Sequence, residues 1–278
     1  MNRFITILSI GSVFSAAAIA EEGHVDVMPV AVIGDPSRIE TGSFDFDGFA
    51  VAELPSVRVY ENDLEDLPGA DLYVGEAGVT APSATAAASQ LSGTGFTHLP
   101  GGVDVRFNFR TFNVGGGTVR ANLWYWNGAD ANGNNDFCDD VSFAPASGVS
   151  LTFDRNAGLF SASADGADQN VPGFVVDTTL FDDLNTPDDE TGFMHLDLDA
   201  ILDDGDLDEL TPVPAGIYAI SLDVFAGDAA ADPIFWLFNA GLGESGEPAA
   251  ECAAKVVPEP TSLALLVLGA AALLRRRS

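Results

Sequence analysis

The sequence predicts an all-β domain, an antiparallel sandwich or jelly roll, and three observations carry that prediction. Apolar and polar residues alternate with a period of two in most readable stretches. Gly, Pro, Asn and Asp cluster between those stretches, and few stretches carry a helical period. The composition also supplies a core. The chain of 278 residues is 47% hydrophobic with 19 phenylalanines, and its acids interleave with apolar residues instead of forming blocks. High acidity therefore does not imply disorder here.

The elements follow in chain order. Residues 1–20 have the three parts of a secretory leader: Arg3 as the positive start, an apolar or small run from Phe4 to Ala20, and the small-x-small site Ala18-Ile19-Ala20 before Glu21. The run is shorter than the ~20 residues of a comfortable helical span, which favours a cleaved signal helix over a retained anchor. The body is then residues 21–257, an acidic β-sandwich domain. Val103 to Arg110 alternates without a fault, Phe44 to Asp47 does so until Gly48, and Met194 to Asp199 and Tyr218 to Val224 continue the pattern. Residues 25–33, 56–60, 118–126, 149–153, 158–163, 172–177 and 234–239 are further strand candidates. Turns fall at Gly34-Asp35-Pro36, Gly115-Gly116-Gly117 and Asn132-Gly133-Asn134. Ala81 to Leu91 fits either a short helix or a surface loop.

The C-terminal segment 258–278 has another design. Pro258-Glu259-Pro260 keeps the chain extended, Leu263 to Leu274 has no polar side chain, and Arg275, Arg276 and Arg277 close it. The positive-inside rule leaves the arginines cytoplasmic and everything before the apolar helix outside. From Thr261 there are 14 residues before the arginines, about 21 Å of helix against a hydrocarbon core near 30 Å, so the anchor is short and weak. This end resembles the PEP-CTERM sorting signal. The resemblance implies transient inner-membrane anchoring and cutting near Pro-Glu-Pro by an exosortase-type transpeptidase, after signal peptidase has removed the leader. The destination would be the cell surface or the extracellular space.

Charge narrows the partners. Between residues 21 and 257 there are 41 acidic and seven basic side chains, a balance of −34. Such a surface repels nucleic acid and anionic lipid and favours loose cation association. Cys138 and Cys252 make an even pair, which in an exported chain suggests a disulfide, with two unpaired thiols as the alternative. Paired, they would pin the segment before the tail to the acidic loop Asp136 to Asp140.

Catalytic signatures do not occur: there is no His-Glu-x-x-His, no Gly-x-Ser-x-Gly and no phosphate loop. We therefore expect no enzyme and no certain cofactor. Zinc or calcium are the ions the remaining patterns would take. His24-Val25-Asp26 and His195-Leu196-Asp197 each place an imidazole and a carboxylate on one strand face, about 6.5–7 Å apart. If the two strands were adjacent, these four side chains would converge on a divalent metal; otherwise they are polar residues of half-buried strands. His98 reads as a loop residue. Asp130 to Asp136 and Asp204 to Glu209 space oxygen ligands as calcium loops do, but neither has the full twelve-residue pattern, and solvated turns fit them as well.

The body also resembles a small family of PEP-CTERM proteins. The resemblance rests on His24-x-Asp26, Ile39 to Asp47, Met194 to Asp197, Pro214 to Tyr218 and Asp232 to Leu242. In cyanobacteria its members are described as repressed by the zinc-uptake regulator, which implies a role when zinc is scarce. The family's Glu- and His-rich run after Gly-Leu has no histidine here, in Gly243 to Glu247. Only His24, Asp26, His195 and Asp197 carry over. Three readings follow. The leading one is a non-enzymatic exported sandwich acting at the cell surface or in extracellular matrix. The second is a binding module for zinc, calcium or an extracellular polysaccharide. The third is an extracellular hydrolase with an unmarked carboxylate pair. Trp124, Tyr125 and Trp126 fit a sugar platform or, with the two tryptophans on one face, a core.

Overall fold

The structure is a computed structural model that describes residues 25–45, 50–54, 58–67, 72–82, 89–114, 119–129, 138, 141–154, 160–176, 193–205 and 212–256. The leader, His24, the loop 130–137 and the tail from Val257 onward lie outside the described residues. The fold is all-β. Strands β1 (Val25–Val32) and β2 (Asp35–Asp45) form a hairpin through Ile33 and Gly34, where Gly34 takes a φ of 87° that favours glycine. They are followed by β3 (Ala50–Glu53), β4 (Val59–Asp66), β5 (Tyr73–Pro82), β6 (Phe96–Thr97), β7 (Asp104–Arg110) and β8 (Trp124–Trp126). Next come β9 (Ala144–Pro145), β10 (Ser150–Asp154), β11 (Phe160–Ser163), β12 (Gln169–Val175) and β13 (Phe193–Asp203). The described chain closes with β14 (Gly216–Ala226), β15 (Ala229–Ala230), β16 (Ile234–Ala240), a 3-10 turn at Gly243–Ser245 and one helix, α1 (Gly246–Val256).

Two layers emerge from the pairing. One runs β11-β10-β13-β5-β1-β2-β3, with β6 beside the end of β1. The other runs β12-β7-β14-β16-β4, with β8 and β9 continuing the edge beyond β7. The layers join where β4 pairs with β5 at Glu65 and Asp66, and where Ala230 of β15 meets Arg38 of β2. Most pairs are antiparallel, as the sequence predicts, and a few parallel contacts make the sheet mixed. β4 runs parallel to β16 over Val59 to Leu64, and β1 meets β5 in parallel at Val27 and Val79. A short turn forces its two strands to oppose each other, but β4 and β16 are far apart in sequence and nothing local sets their direction.

The core lies between the layers. Phe153 of β10 reaches Trp236 and Phe238 of β16, with ring centroids 6.4 and 5.8 Å apart, and Phe109 of β7 at 5.7 Å. Its two largest polar aromatics are partnered: the Tyr60 hydroxyl donates to the Gly42 carbonyl at 2.7 Å, and the Trp236 indole N–H donates to Asn62. Alternation alone would leave the outer faces wet, yet every residue of β16 is buried, as is β14 from Gly216 to Leu222. The reason is α1, which the strand-only reading of the body missed. Its Ala249, Ala250 and Ala253 lie against a second cluster that includes Ile217, Ala219, Phe235, Leu237, Trp124 and Trp126. Small side chains let the helix approach the sheet closely. A third cluster of Met28, Val30, Phe44 and Leu91 fills the outside of the first layer. Of the uncertain segment Ala81 to Leu91, residues 81 and 82 end β5 and residues 89 and 90 are helical.

Candidate functional site

Two places hold the residues that the sequence marks for function. The first is the end of the described chain. α1 presents Cys252, 7% exposed, which forms a disulfide with Cys138 (S–S 2.01 Å, Cα–Cα 4.6 Å). Lys255 lies one turn further, its Nζ donating to the Cys138 sulfur at 3.5 Å. The opposite side of the helix is acidic. Glu247 and Glu251 repel the Glu61 carboxylate on β4. Partial burial, and then the charges of Glu251, Glu247 and Asp63, push the Glu61 carboxyl up to about 7. Solvent that still reaches Glu61 screens part of this repulsion. Asn239 of β16 bridges the two elements: its amide donates to Asp63 at 2.7 Å and lies directly beneath Gly246, where an added Cβ would come within 1.9 Å of the amide nitrogen.

The second place is the outer face of the β1-β5-β13 region. β1 and β13 are not adjacent, because β5 lies between them and sets their axes about 9.5 Å apart. Asp26 and positions 195 and 197 nonetheless fall into one register across β5. Asp26 lies beside Gly78, which faces position 197; Thr80, two residues on along the same face, faces position 195. Asp26 is fully buried, accepts a hydrogen bond from the Thr80 hydroxyl, and fills the space that any side chain at 78 would occupy. A Cβ there would lie 1.7 Å from Asp26 Oδ1. Asp26, Gly78 and Thr80 therefore belong to one sheet face, and the backbone at 195 and 197 is in register with Thr80 and Gly78. His24 and the side chains of His195 and Asp197 lie outside the description. Among the described residues no group of three or more His, Cys, Asp or Glu is arranged to hold a metal.

The other sequence candidates separate cleanly. Trp124 and Trp126 are both 3% exposed, and Tyr125 packs on Tyr218 with ring centroids 5.0 Å apart, so neither tryptophan offers a sugar platform. His98 sits after β6 with its Nδ1 3.2 Å from the Thr97 hydroxyl. The Asp130 to Asp136 loop is outside the described residues. Of the second acidic loop, the backbone N–H of Gly205 donates to Asp203 in a local turn. No helix among the described residues is long and apolar enough to cross a membrane, and the apolar run of the tail lies outside them. Sequence reasoning missed Thr80, Gly78 and Glu61. The first two matter only through register, and Glu61 only through a helix that period-two reading does not announce.

The last helix among the described residues is covalently fastened, and in sequence an apolar, arginine-ended segment follows it directly. Residues 256–278 match the family model of the PEP-CTERM protein-sorting motif. The chain thus carries the signal of an exported protein that is anchored at its C-terminus and processed by an exosortase. No curated protein matches the chain.

Proposed function

We propose that this chain is a non-enzymatic surface or matrix protein, delivered as a folded acidic sandwich and released from its membrane tail near Pro258-Glu259-Pro260. The observation that carries this reading is the disulfide-fastened α1 ending at Val256, where the sorting-motif match begins. A cross-link of this kind persists outside the reducing cytoplasm, which agrees with export. Arg275, Arg276 and Arg277 hold the end of the tail on the cytoplasmic side while the enzyme acts. Co-production of the full chain with an exosortase, followed by intact-mass analysis, tests it. Loss of the tail in the native chain, abolished by replacing Pro258, Glu259 and Pro260 with alanine, is the expected result. A tail that stays on in the native chain would overturn it.

One observation favours a second, compatible role as a binding module for a divalent metal. A fully buried carboxylate seated over a glycine gap, on the face that carries positions 195 and 197, is an unusual cost for a sheet that serves only as scaffold. Asp26, Asp197, His24 and His195 are the residues that would hold zinc. Elemental analysis and calorimetric zinc titration of the native chain beside His24→Ala/His195→Ala decides the matter. Near-equimolar zinc that vanishes in the double variant supports the site, and no zinc in either protein removes it.

A further inference from the structure

We propose that Asn127-Gly128 is a self-modification site, at which the folded chain converts Asn127 to aspartate and isoaspartate through a cyclic imide. The chemistry needs neither the sorting role nor a bound metal.

The site lies where β8 ends. Asn127 follows Trp126 directly and is exposed, so water and hydroxide reach its side chain. Its Oδ1 accepts a hydrogen bond from the backbone N–H of Ala129 at 3.1 Å. This local turn folds the side-chain amide back over the residues that follow it. The ring closed by that hydrogen bond contains the peptide nitrogen of Gly128, the atom that attacks Cγ. Nucleophile and electrophile are thus held together within one short stretch of chain, which removes much of the entropic cost of their meeting.

Packing dictates the glycine. Gly128 is buried with a φ of 64°, and a Cβ there would lie 2.4 Å from Leu242 Cδ1. No other residue fits, so no side chain shields the nitrogen from the carbonyl beside it. The fold therefore requires, next to an exposed asparagine, the residue that protects its own nitrogen least.

The reaction balances with water alone. Hydroxide removes the Gly128 N–H proton, the nitrogen bonds to Asn127 Cγ, and the electron pair of the C=O bond moves onto Oδ1. The Ala129 N–H already points at that oxygen and stabilises the charge as it develops. The Cγ–Nδ2 bond then breaks, and the amide nitrogen leaves as ammonia with a proton from water. Water opens the imide at Cγ to give aspartate, or at the main-chain carbonyl to give isoaspartate. The second product lengthens the main chain where it has no room. A Cβ on Gly216 of β14 would lie 2.4 Å from the Trp126 carbonyl oxygen and 3.2 Å from Asn127 Cα. Isoaspartate at 127 thus loosens the edge where β8 pairs with β14.

The test incubates the purified full chain at mildly alkaline pH, folded and, in parallel, unfolded in urea. Peptide mapping by mass spectrometry and enzymatic methylation of isoaspartate read the outcome. Asn132-Gly133 is the same dipeptide and is scored separately in the same digest. We expect the peptide containing Asn127 to gain the mass difference between OH and NH2 in the folded chain, and Asn127→Ser to gain none there. Ala129→Pro, which lacks the N–H donor, should convert several-fold more slowly. Asn127 left intact in the folded chain, whether or not the unfolded chain converts, would overturn the site. Equal rates in the native chain and Ala129→Pro would overturn the role given to Ala129. If Ala129→Pro fails to fold, the native chain, folded and unfolded, still decides.

Discussion

Glu61 stands on an edge strand beside a helix that brings two more carboxylates toward it, and its proton affinity records the crowding. Its folded-state value of about 7 lies above the ordinary 4.5, so the native chain binds this proton more tightly than the unfolded chain does. Stability from this group is therefore greatest at low pH and falls as pH rises from about 4.5 through about 7. Glu61→Gln should flatten the fall in melting temperature between those limits and leave the variant more stable than the native protein at pH 8; thermal scans across the range check both. Gly78 is a second test at this scale. Its Cβ position is already filled by Asp26, so Gly78→Ala must displace the carboxylate or spread β1 from β5. We expect a loss of about 1–3 kcal/mol in urea unfolding. Asp26, His195 and Asp197 were legible as strand residues. What no pattern of residues contained is the register, which brings positions 195 and 197 into line with Thr80 and Gly78 across a third strand.

Strand existence was the most legible part of the elements. Val103 to Arg110 overlaps β7 in all but its first residue and Tyr218 to Val224 falls inside β14, because a half-buried strand writes its period into the sequence. The continuous apolar run Ile234 to Phe238 fits a strand buried on both faces, as β16 is, but such a run does not say what covers it. The cover is α1, whose alanines and glutamates carry no strand signal and whose Cys252 is bonded to Cys138. In the chain-entropy account, closing a loop with a sequence separation of 114 contributes about 4–5 kcal/mol by restricting the unfolded chain. Cys138→Ser/Cys252→Ser should lower the free energy of unfolding by up to that amount, and reductant should do the same to the native chain. A denaturant midpoint unchanged by both would mean that the packing of α1 holds the helix without the bond.

At the scale of the whole molecule, charge outweighs any single contact. A formal net charge of −31 loads the native state with self-repulsion that expansion relieves. Among the described residues the ion pairs include Glu40, buried between Arg38 and Arg58, Arg58 with Asp232 at 2.9 Å, Arg106 with Asp104 at 3.7 Å, and Arg110 with Asp223 at 2.5 Å. Raising salt from about 0.01 to 0.15 M shortens the screening length from about 30 to 8 Å. The melting temperature should then rise by a few degrees, about the shift that 1 kcal/mol produces in a domain of this size. Differential scanning calorimetry at the two salt levels measures it, and a flat or falling response would show that the acids are already compensated.

By itself the sequence determined the all-β class, the sites of many strands, the acidity of the chain and the sorting signal at residues 258–278. Each of these is local: a period, a composition or a contiguous motif that needs no partner elsewhere in the chain. The tertiary structure decided the parallel contact of β4 with β16, the burial of Asp26 over Gly78, and the docking of α1 against the second layer. These depend on which distant segments meet. Strand order follows from burying the two layers against each other as a whole, a quantity that no stretch of neighbouring residues contains.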